Sequence, residues 1–312
     1  MEVVLILMVG NMSDNNLKKD KYKRSINDVL ISNLNNFRYS LLEPLKLKRE
    51  RKKYSKHYKN LNNPKISICI PTFNRAELLM ERAVESVFSQ TYKNFELIIV
   101  GDHCTDNTEK FLSSIKDKRL SFINLPERKR NYVETLENHW FVGGAVPSNK
   151  ALDLVKGDWI ARIDDDDIWS NDHLEKLLDF ACNNDFEFVS SLYEEERFGK
   201  RSIIDGVRAL DPYYTQKKSS MILQSPKIGG VSTWLYRSYL KFMRYNVNCW
   251  RKKWNRVWDI DLSLRFFDAG VNMGFLEEVL SFIVPRPGEK TVGLEAYQLT
   301  SDDKLEKYRF NN

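Results

Sequence analysis

Apolar residues gather in short runs from residue 66 onward, separated by stretches in which they recur every three or four positions. Ile66-Ser-Ile-Cys-Ile-Pro71 is a nearly continuous apolar run that stops at a proline, the pattern of a strand buried on both faces. Over residues 75–90 the apolar positions are 78, 79, 83, 84, 87 and 88, which form one face of a helix. The same reading predicts strands over 95–100 and 120–125 with a helix over 108–115 between them. A loop holding Gly143-Gly144, a helix over 148–155, a strand over 158–163, a helix over 173–182 and a strand over 186–192 follow. Strands alternating with helices at this rhythm predict a parallel sheet built from βαβ units. Before residue 64 the pattern is weak. That stretch is polar, Asn-rich and basic, and its scattered Leu41, Leu42 and Leu45 predict short helical pieces. Beyond residue 193 the alternation lapses while Trp, Tyr and Arg become frequent, which predicts a mixed subdomain. Three units are therefore expected: a basic extension over 1–63, an α/β subdomain over 64–182 and a second subdomain over 183–312.

With 312 residues, 42% hydrophobic and 29% charged, the chain is long enough to bury a sizeable core and too apolar to be disordered. Its first ten residues are apolar but lack a basic flank and an A-x-A-like cleavage site, so neither a signal peptide nor a membrane span is expected there. Cys69, Cys104, Cys182 and Cys249 form no C-x-x-C pair, which fits a reducing, cytoplasmic compartment. The net charge of +6 is uneven: residues 1–63 hold 14 Lys and Arg against 6 Asp and Glu, whereas residues 64–312 hold 35 against 37. An enzyme acting on nucleic acid would carry its basic stripe on the catalytic body, so that class is set aside. The basic extension fits a solvated helix or linker, or a peripheral contact with an anionic membrane surface.

The densest chemistry is Asp164-Asp165-Asp166-Asp167, directly after the strand over 158–163. Adjacent carboxylates repel one another, by about 1 kcal/mol in water and several times that inside a protein, and so invite a cation. Strand alternation would send Asp164 and Asp166 to one side and Asp165 and Asp167 to the other. In open α/β sheets the carboxyl ends of strands form the ligand crevice. Oxygen ligands in such a crevice suit Mg²⁺ or Mn²⁺. A solvated acidic loop or helix start would carry the same residues. A second acid, Asp102, closes the strand over 95–100 and could accept the N3 proton of a pyrimidine; its alternative is a capping role, which Asp106 fills better.

These residues carry a resemblance. Ile68-Cys-Ile-Pro-Thr-Phe-Asn-Arg75, Ser86-Val-Phe-Ser-Gln-Thr-Tyr92, Phe95-Glu-Leu-Ile-Ile-Val-Gly-Asp102 with Thr105-Asp-Asn-Thr108, Asn149-Lys-Ala-Leu152, Gly157-Asp158 and Ile163-Asp-Asp-Asp-Asp-Ile-Trp169 resemble family 2 glycosyltransferases of the GT-A fold, in order and over roughly residues 64–180. The resemblance implies a Rossmann-like, mainly parallel sheet flanked by helices, with an acceptor subdomain at the C-terminal end. It implies transfer of a sugar from a nucleotide-sugar donor, expected to be a UDP-sugar, to a glycan or lipid-linked acceptor in polysaccharide biosynthesis. Pro71, Thr72, Asn74, Arg75, Asp102 and Asn149 would then face the nucleotide. In the D-x-D element Asp164 would face the ribose and metal shell, Asp165 would join it in binding the nucleotide-sugar, and Asp166 would be the direct ligand of Mn²⁺ or Mg²⁺. Relatives often carry two acids where this chain has Gly101-Asp102, and a small serine where it has Cys104. Trp258-Asp-Ile-Asp-Leu-Ser-Leu-Arg265 is similar to the family's E-D-x-D-L-x-L-R segment, with Trp258 in place of the Glu. On that alignment Asp259 is the general base of an inverting displacement and Asp261 pairs with Arg265 at i+4. Both acids would equally suit a helix start.

Among the remaining features, Gly229-Gly-Val-Ser-Thr-Trp234 resembles the family's acceptor-side loop, with Trp234 placed to stack on a sugar. Trp250, Trp254 and Trp258 recur at helical spacing and read as a core or interface stripe. Arg286, Gly288 and Lys290 suit either a flap over the diphosphate or a plain surface turn. His103, His139 and His173 have no metal-ligand spacing. Two rival classes stay open: a sugar-nucleotide nucleotidyltransferase, which would want a glycine-rich basic loop after the first strand where Pro71-Thr-Phe-Asn-Arg75 has no glycine, and a non-catalytic nucleotide- or carbohydrate-binding relative.

Overall fold

The computed structural model describes residues 22–205 and 227–299. The apolar N-terminal decapeptide discussed above lies outside them. Nine strands among the described residues form one sheet: β1 (Ile66–Thr72), β2 (Phe95–Gly101), β3 (Leu120–Asn124), β4 (Trp159–Arg162), β5 (Asp167–Trp169), β6 (Phe188–Arg197), β7 (Lys200–Ile204), β8 (Trp234–Arg237) and β9 (Met273–Ile283). Their order is β3-β2-β1-β4-β8-β6-β9-β5, with β7 as a hairpin on β6. The first four strands are mutually parallel, as the alternating pattern predicts. Beyond them β8 runs antiparallel to β4 and β6 antiparallel to β8, β9 runs parallel to β6, and β5 antiparallel to β9. Period-two alternation divides β1 between two layers. Ile66, Ile68 and Ile70 pack with one group of buried side chains, Cys69 with the other.

Helices fill both layers. On one side lies α2, which begins at Ala76–Leu79, passes through a π-helical turn at Met80–Val84 and ends at Glu85–Phe88; its Leu79, Ala83 and Val87 are fully buried beside α6 (His173–Asn183). The short α3 (Thr108–Ser114) joins β2 to β3. On the other side lie α4 (Leu136–Val142), α5 (Ala145–Leu154) and α7 (Trp258–Ala269), and α8 (Gly293–Leu299) ends the described chain. Gly143-Gly144 is the junction of α4 and α5 rather than an open loop. A side chain at Gly144 would meet the Trp258 indole at 2.9 Å, so only glycine lets that ring lie against the junction.

Two expectations fail here. The extension is not a set of short pieces but one 34-residue helix, α1 (Ile26–Lys59), opened by a capping box in which Ser25 and Asp28 exchange hydrogen bonds of 2.7 and 3.2 Å. Its packed face is polar, carrying Asp28, Ser32 and Glu43 along with Leu47, so apolar periodicity could not reveal it. The tryptophans do not form a helical stripe either. Trp250 sits in a 3₁₀ turn, Trp254 in a bend, and Trp258 opens α7. Their spacing in the sequence is not a helical phase because Lys252 to Val257 is not helical.

Candidate active site

Because β1, β2 and β4 are parallel, their carboxyl ends share one edge, and each delivers polar side chains there. Thr72 and Asp102 close β1 and β2, and the Asp102 amide donates to the Thr72 carbonyl at 2.9 Å. The Asp102 carboxylate is buried and accepts from Arg128 at 2.8 and 3.0 Å, with Arg130 at 3.5 Å. The sequence reading missed these two arginines. The basic run Arg128-Lys-Arg130 follows directly on the third parallel strand, at the same edge, and was legible as a signal.

After β4 the chain turns instead of extending, and the Asp167 amide donates to the Asp164 carbonyl at 3.3 Å. The expected alternation therefore breaks: Asp165 and Asp166 both bind Arg75, at 2.8 and 3.2 Å. Asp165 is buried and also accepts from the Thr72 hydroxyl at 2.7 Å. Burial raises the Asp165 carboxyl above its ordinary range against the pull of Arg75. Burial also acts to raise Asp166, but Arg75, Arg286 and Arg82 outweigh it and hold that carboxyl low. Asp164 pairs with Arg162 at 2.7 Å, and Asp167 is buried against the Ser232 hydroxyl at 2.5 Å. Burial, reinforced by Asp166 and Asp164, drives the Asp167 carboxyl well up.

Across the edge lies the first turn of α7. Asp261 is structural, bound to Lys252 at 2.7 Å and to Arg265 at 3.2 Å. Asp259 instead faces the opening. Burial pushes its carboxyl up to about 6, with the Ile260 amide opposing and the charge of Asp164 adding to the rise. One cavity of about 960 Å³ joins these groups, and its walls include Thr72, Arg75, Asp102, Asp164, Asp166 and Asp259. Pro71, Asp165 and Trp234 also contribute to it, as do Tyr193, which the sequence reading passed over, and Trp254.

Not every candidate reaches this cavity. Asn74, at φ 50°, accepts from the Thr105 amide at 2.8 Å and does not line the wall. Asn149 uses both ends of its amide on the backbone of Tyr245, at 2.9 Å each, and lies outside it too. Trp234 is only 2% exposed, donates to the Gly229 carbonyl at 2.9 Å and meets Phe188 edge-on. Trp254, 40% exposed, offers the freer ring. Arg286 is no outlying flap residue: it is buried in the wall, bound to Glu289 at 2.8 Å and to the Tyr297 hydroxyl at 3.2 Å. That hydroxyl also accepts from Arg75 at 2.9 Å, so α8 is tied to the acidic turn. His173 is neutral and structural, its pKa lowered by burial to about 3 and its ring stacked on Trp169. Among the described residues no three His, Cys, Asp or Glu side chains converge as a metal cage. Asp164 and Asp166 are the partly open carboxylates, a donor pair that suits a hard cation taking its other oxygens from a bound diphosphate and water.

The model of Glycosyl transferase family 2 matches residues 67–242. The Escherichia coli UDP-Glc:alpha-D-GlcNAc-diphosphoundecaprenol beta-1,3-glucosyltransferase WfaP is 35% identical over 147 residues, covering 47% of this chain and 52% of its own. The chain spans about half the length of the curated relatives it matches. Among solved structures, S. aureus TarS 1-349 in complex with UDP-GlcNAc aligns with a TM-score of 0.52 at 17% identity, covering 78% of this chain and 64% of TarS. The mannosyltransferase PcManGT from Pyrobaculum calidifontis, solved with GDP-Man and Mn²⁺, aligns at 0.50 and 16%, covering 84% and 69%. At such identities the likeness concerns the fold, which is GT-A. With the family model matching more than half of its length, the chain belongs to Glycosyl transferase family 2.

Proposed function

We propose that the protein transfers a sugar from a nucleoside diphosphate sugar, UDP-linked, to a hydroxyl of a glycan or lipid-linked acceptor, with inversion at the anomeric carbon. The observation that carries this reading is that Asp259, a carboxyl pushed up to about 6, shares one cavity with Asp102 and the acidic turn. The UDP-sugar and lipid-linked acceptor in WfaP's name support the choice of donor and acceptor. In this reading residues 64–182 hold the donor and 183–312 the acceptor. Asp102, freed from Arg128, accepts from the base edge, and Pro71, Thr72 and Arg75 flank the nucleotide. Asn74 and Asn149 act one layer back, through Thr105 and Tyr245. Trp234 floors the acceptor end, and Trp254 gives it a stacking face. Transfer takes place on the cytoplasmic side.

Asp259 takes the proton of the acceptor hydroxyl as its oxygen bonds to the anomeric carbon. The bond from that carbon to the diphosphate oxygen breaks, releasing the nucleoside diphosphate with its electron pair. In this reading Arg75 and Arg286, both in the cavity wall, receive the charge on the leaving oxygens. A Mn²⁺ or Mg²⁺ held by Asp166 and Asp164 would supply further neutralisation of that diphosphate.

Asp259→Asn should lower kcat by about 100- to 10,000-fold while leaving UDP binding intact, read by turnover of UDP-sugars and by thermal shift. Asp166→Ala should abolish the extra stabilisation that Mn²⁺ adds to UDP. An unchanged Mn²⁺ effect would remove Asp166 from the metal site. A product retaining the donor's anomeric configuration would overturn the single displacement.

A further inference from the structure

The polarity of α1 is inverted. The side it presents to the body of the protein carries Asp28, Ser32, Glu43 and Leu47, while its outer side exposes large apolar residues. Ile26, Leu30, Leu34, Phe37, Leu41 and Leu45 follow one another at intervals of four, four, three, four and four, so they form a single stripe. Leu34 and Phe37 are each 68% exposed. This stripe plays no part in holding the helix. The opposite side does that, through Asp28 with Arg251, Glu43 with Arg265 at 2.9 Å, Arg51 with Glu187 at 2.6 Å, and Tyr54 stacked on Tyr239.

Past Pro44 the outer face changes character. Lys48, Arg49, Lys52, Lys56 and Lys59 are all exposed, and none has an ion-pair partner among the described residues. The one acid between residues 46 and 59, Glu50, is half-buried. One exposed face therefore carries about 30 Å of apolar stripe followed by about 20 Å of unneutralised positive charge.

We propose that this face of α1 docks the protein onto an anionic phospholipid surface, lying in the plane of the headgroups with the Ile26–Leu45 stripe inserted and the basic half on the lipid phosphates. A second copy of the chain accounts for the face less well. Parallel pairing of two α1 helices sets cation against cation, and antiparallel pairing covers the apolar halves but leaves both basic halves uncompensated. A lipid surface satisfies both halves at once. The proposal stands apart from the transfer reaction, since it needs no donor or acceptor.

The test is co-sedimentation of the full chain with phosphatidylcholine vesicles, with and without phosphatidylglycerol. Binding is expected only to the anionic vesicles and should weaken as salt rises. Leu34→Glu with Phe37→Glu should weaken it by about tenfold or more. Lys48→Glu with Lys52→Glu should weaken it by at least about fivefold for each cation removed. All these positions are exposed, so circular dichroism and the thermal shift with UDP should match the parent chain, which keeps a docking failure distinct from a failure of the proposed chemistry. Equal binding to neutral vesicles, or binding that survives both double substitutions, overturns the proposal. So does a concentration-dependent dimer in sedimentation velocity that L34E/F37E dissolves while vesicle binding is absent.

Discussion

At the scale of single residues, Asp259 shows a conflict between stability and chemistry. It is half-buried at the start of α7, and Tyr193, Tyr245, Arg162 and Asp164 all sense its charge. A carboxyl whose folded pKa is about 6, above its usual 3.8, binds its proton more tightly folded than unfolded. Its stabilising contribution is complete below about pH 4 and is lost as pH rises through 6, the range in which it becomes a base. Asp259→Asn keeps the oxygen that accepts from Ile260 and removes the titration. The variant should therefore melt at the parent's temperature near pH 4 and be more stable by up to about 3 kcal/mol at pH 8, checked by melts across that range. Gly144 belongs to the same neighbourhood. Gly144→Ala would press on the Trp258 indole beside Asp259, costing about 1–3 kcal/mol and reducing kcat more than it raises the KM for donor, as steady-state kinetics would read.

At the scale of elements, what the sequence revealed follows from which forces write a pattern into it. β1, β2 and the helix between them were legible because apolar side chains bury each of them, whereas β3 is only half-buried and shows itself by its apolar Leu120, Phe122 and Ile123. The acidic turn was legible by position, and its partners were not. Asp165 and Asp166 share Arg75 because the chain turns, and strand phase carries no information about a turn. α1 escaped for the opposite reason: polar pairing, not apolar periodicity, holds it. The π-helical turn of α2 was also hidden, since a single widened turn barely disturbs a pattern of threes and fours. It matters, because π-turns collect at functional sites, and this one carries Arg82. Arg82 donates to the carbonyls of Asp166 at 2.8 Å, Val284 at 2.9 Å and Pro285 at 2.7 Å, stitching the acidic turn to the segment that bears Arg286. Arg82→Ala should raise the KM for donor by about tenfold or more and lower the melting temperature, because three carbonyls lose a charged donor together.

At the scale of the whole molecule, buried ion pairs join parts distant in sequence. Arg265 of α7 meets Glu43 of α1 at 2.9 Å, Asp261 at 3.2 Å and the Arg244 carbonyl at 2.8 Å. Burial already raises the Glu43 carboxyl against the pull of Arg265. Arg265→Ala should cost about 3–5 kcal/mol at pH 8 in denaturant titrations, and less near pH 5, where the stranded Glu43 takes up a proton.

The long N-terminal helix touches the chain just before β4 through His57 and Asp158, the start of β6 through Arg51 and Glu187, and α7 through Glu43 and Arg265. Fixed at these stations, and by Asp28 on Arg251 and Tyr54 on Tyr239, the helix acts as a splint across parts of the body that lie far apart in sequence. Among the described residues, the segment from Pro285 to Leu299 lies outside that bracing and is held instead by Arg75 on the Tyr297 hydroxyl, Arg82 on the Pro285 carbonyl and Arg197 on Thr291, the Val292 carbonyl and Glu295. Loosening that segment would cost a handful of hydrogen bonds to three guanidinium groups and none of the contacts that α1 makes.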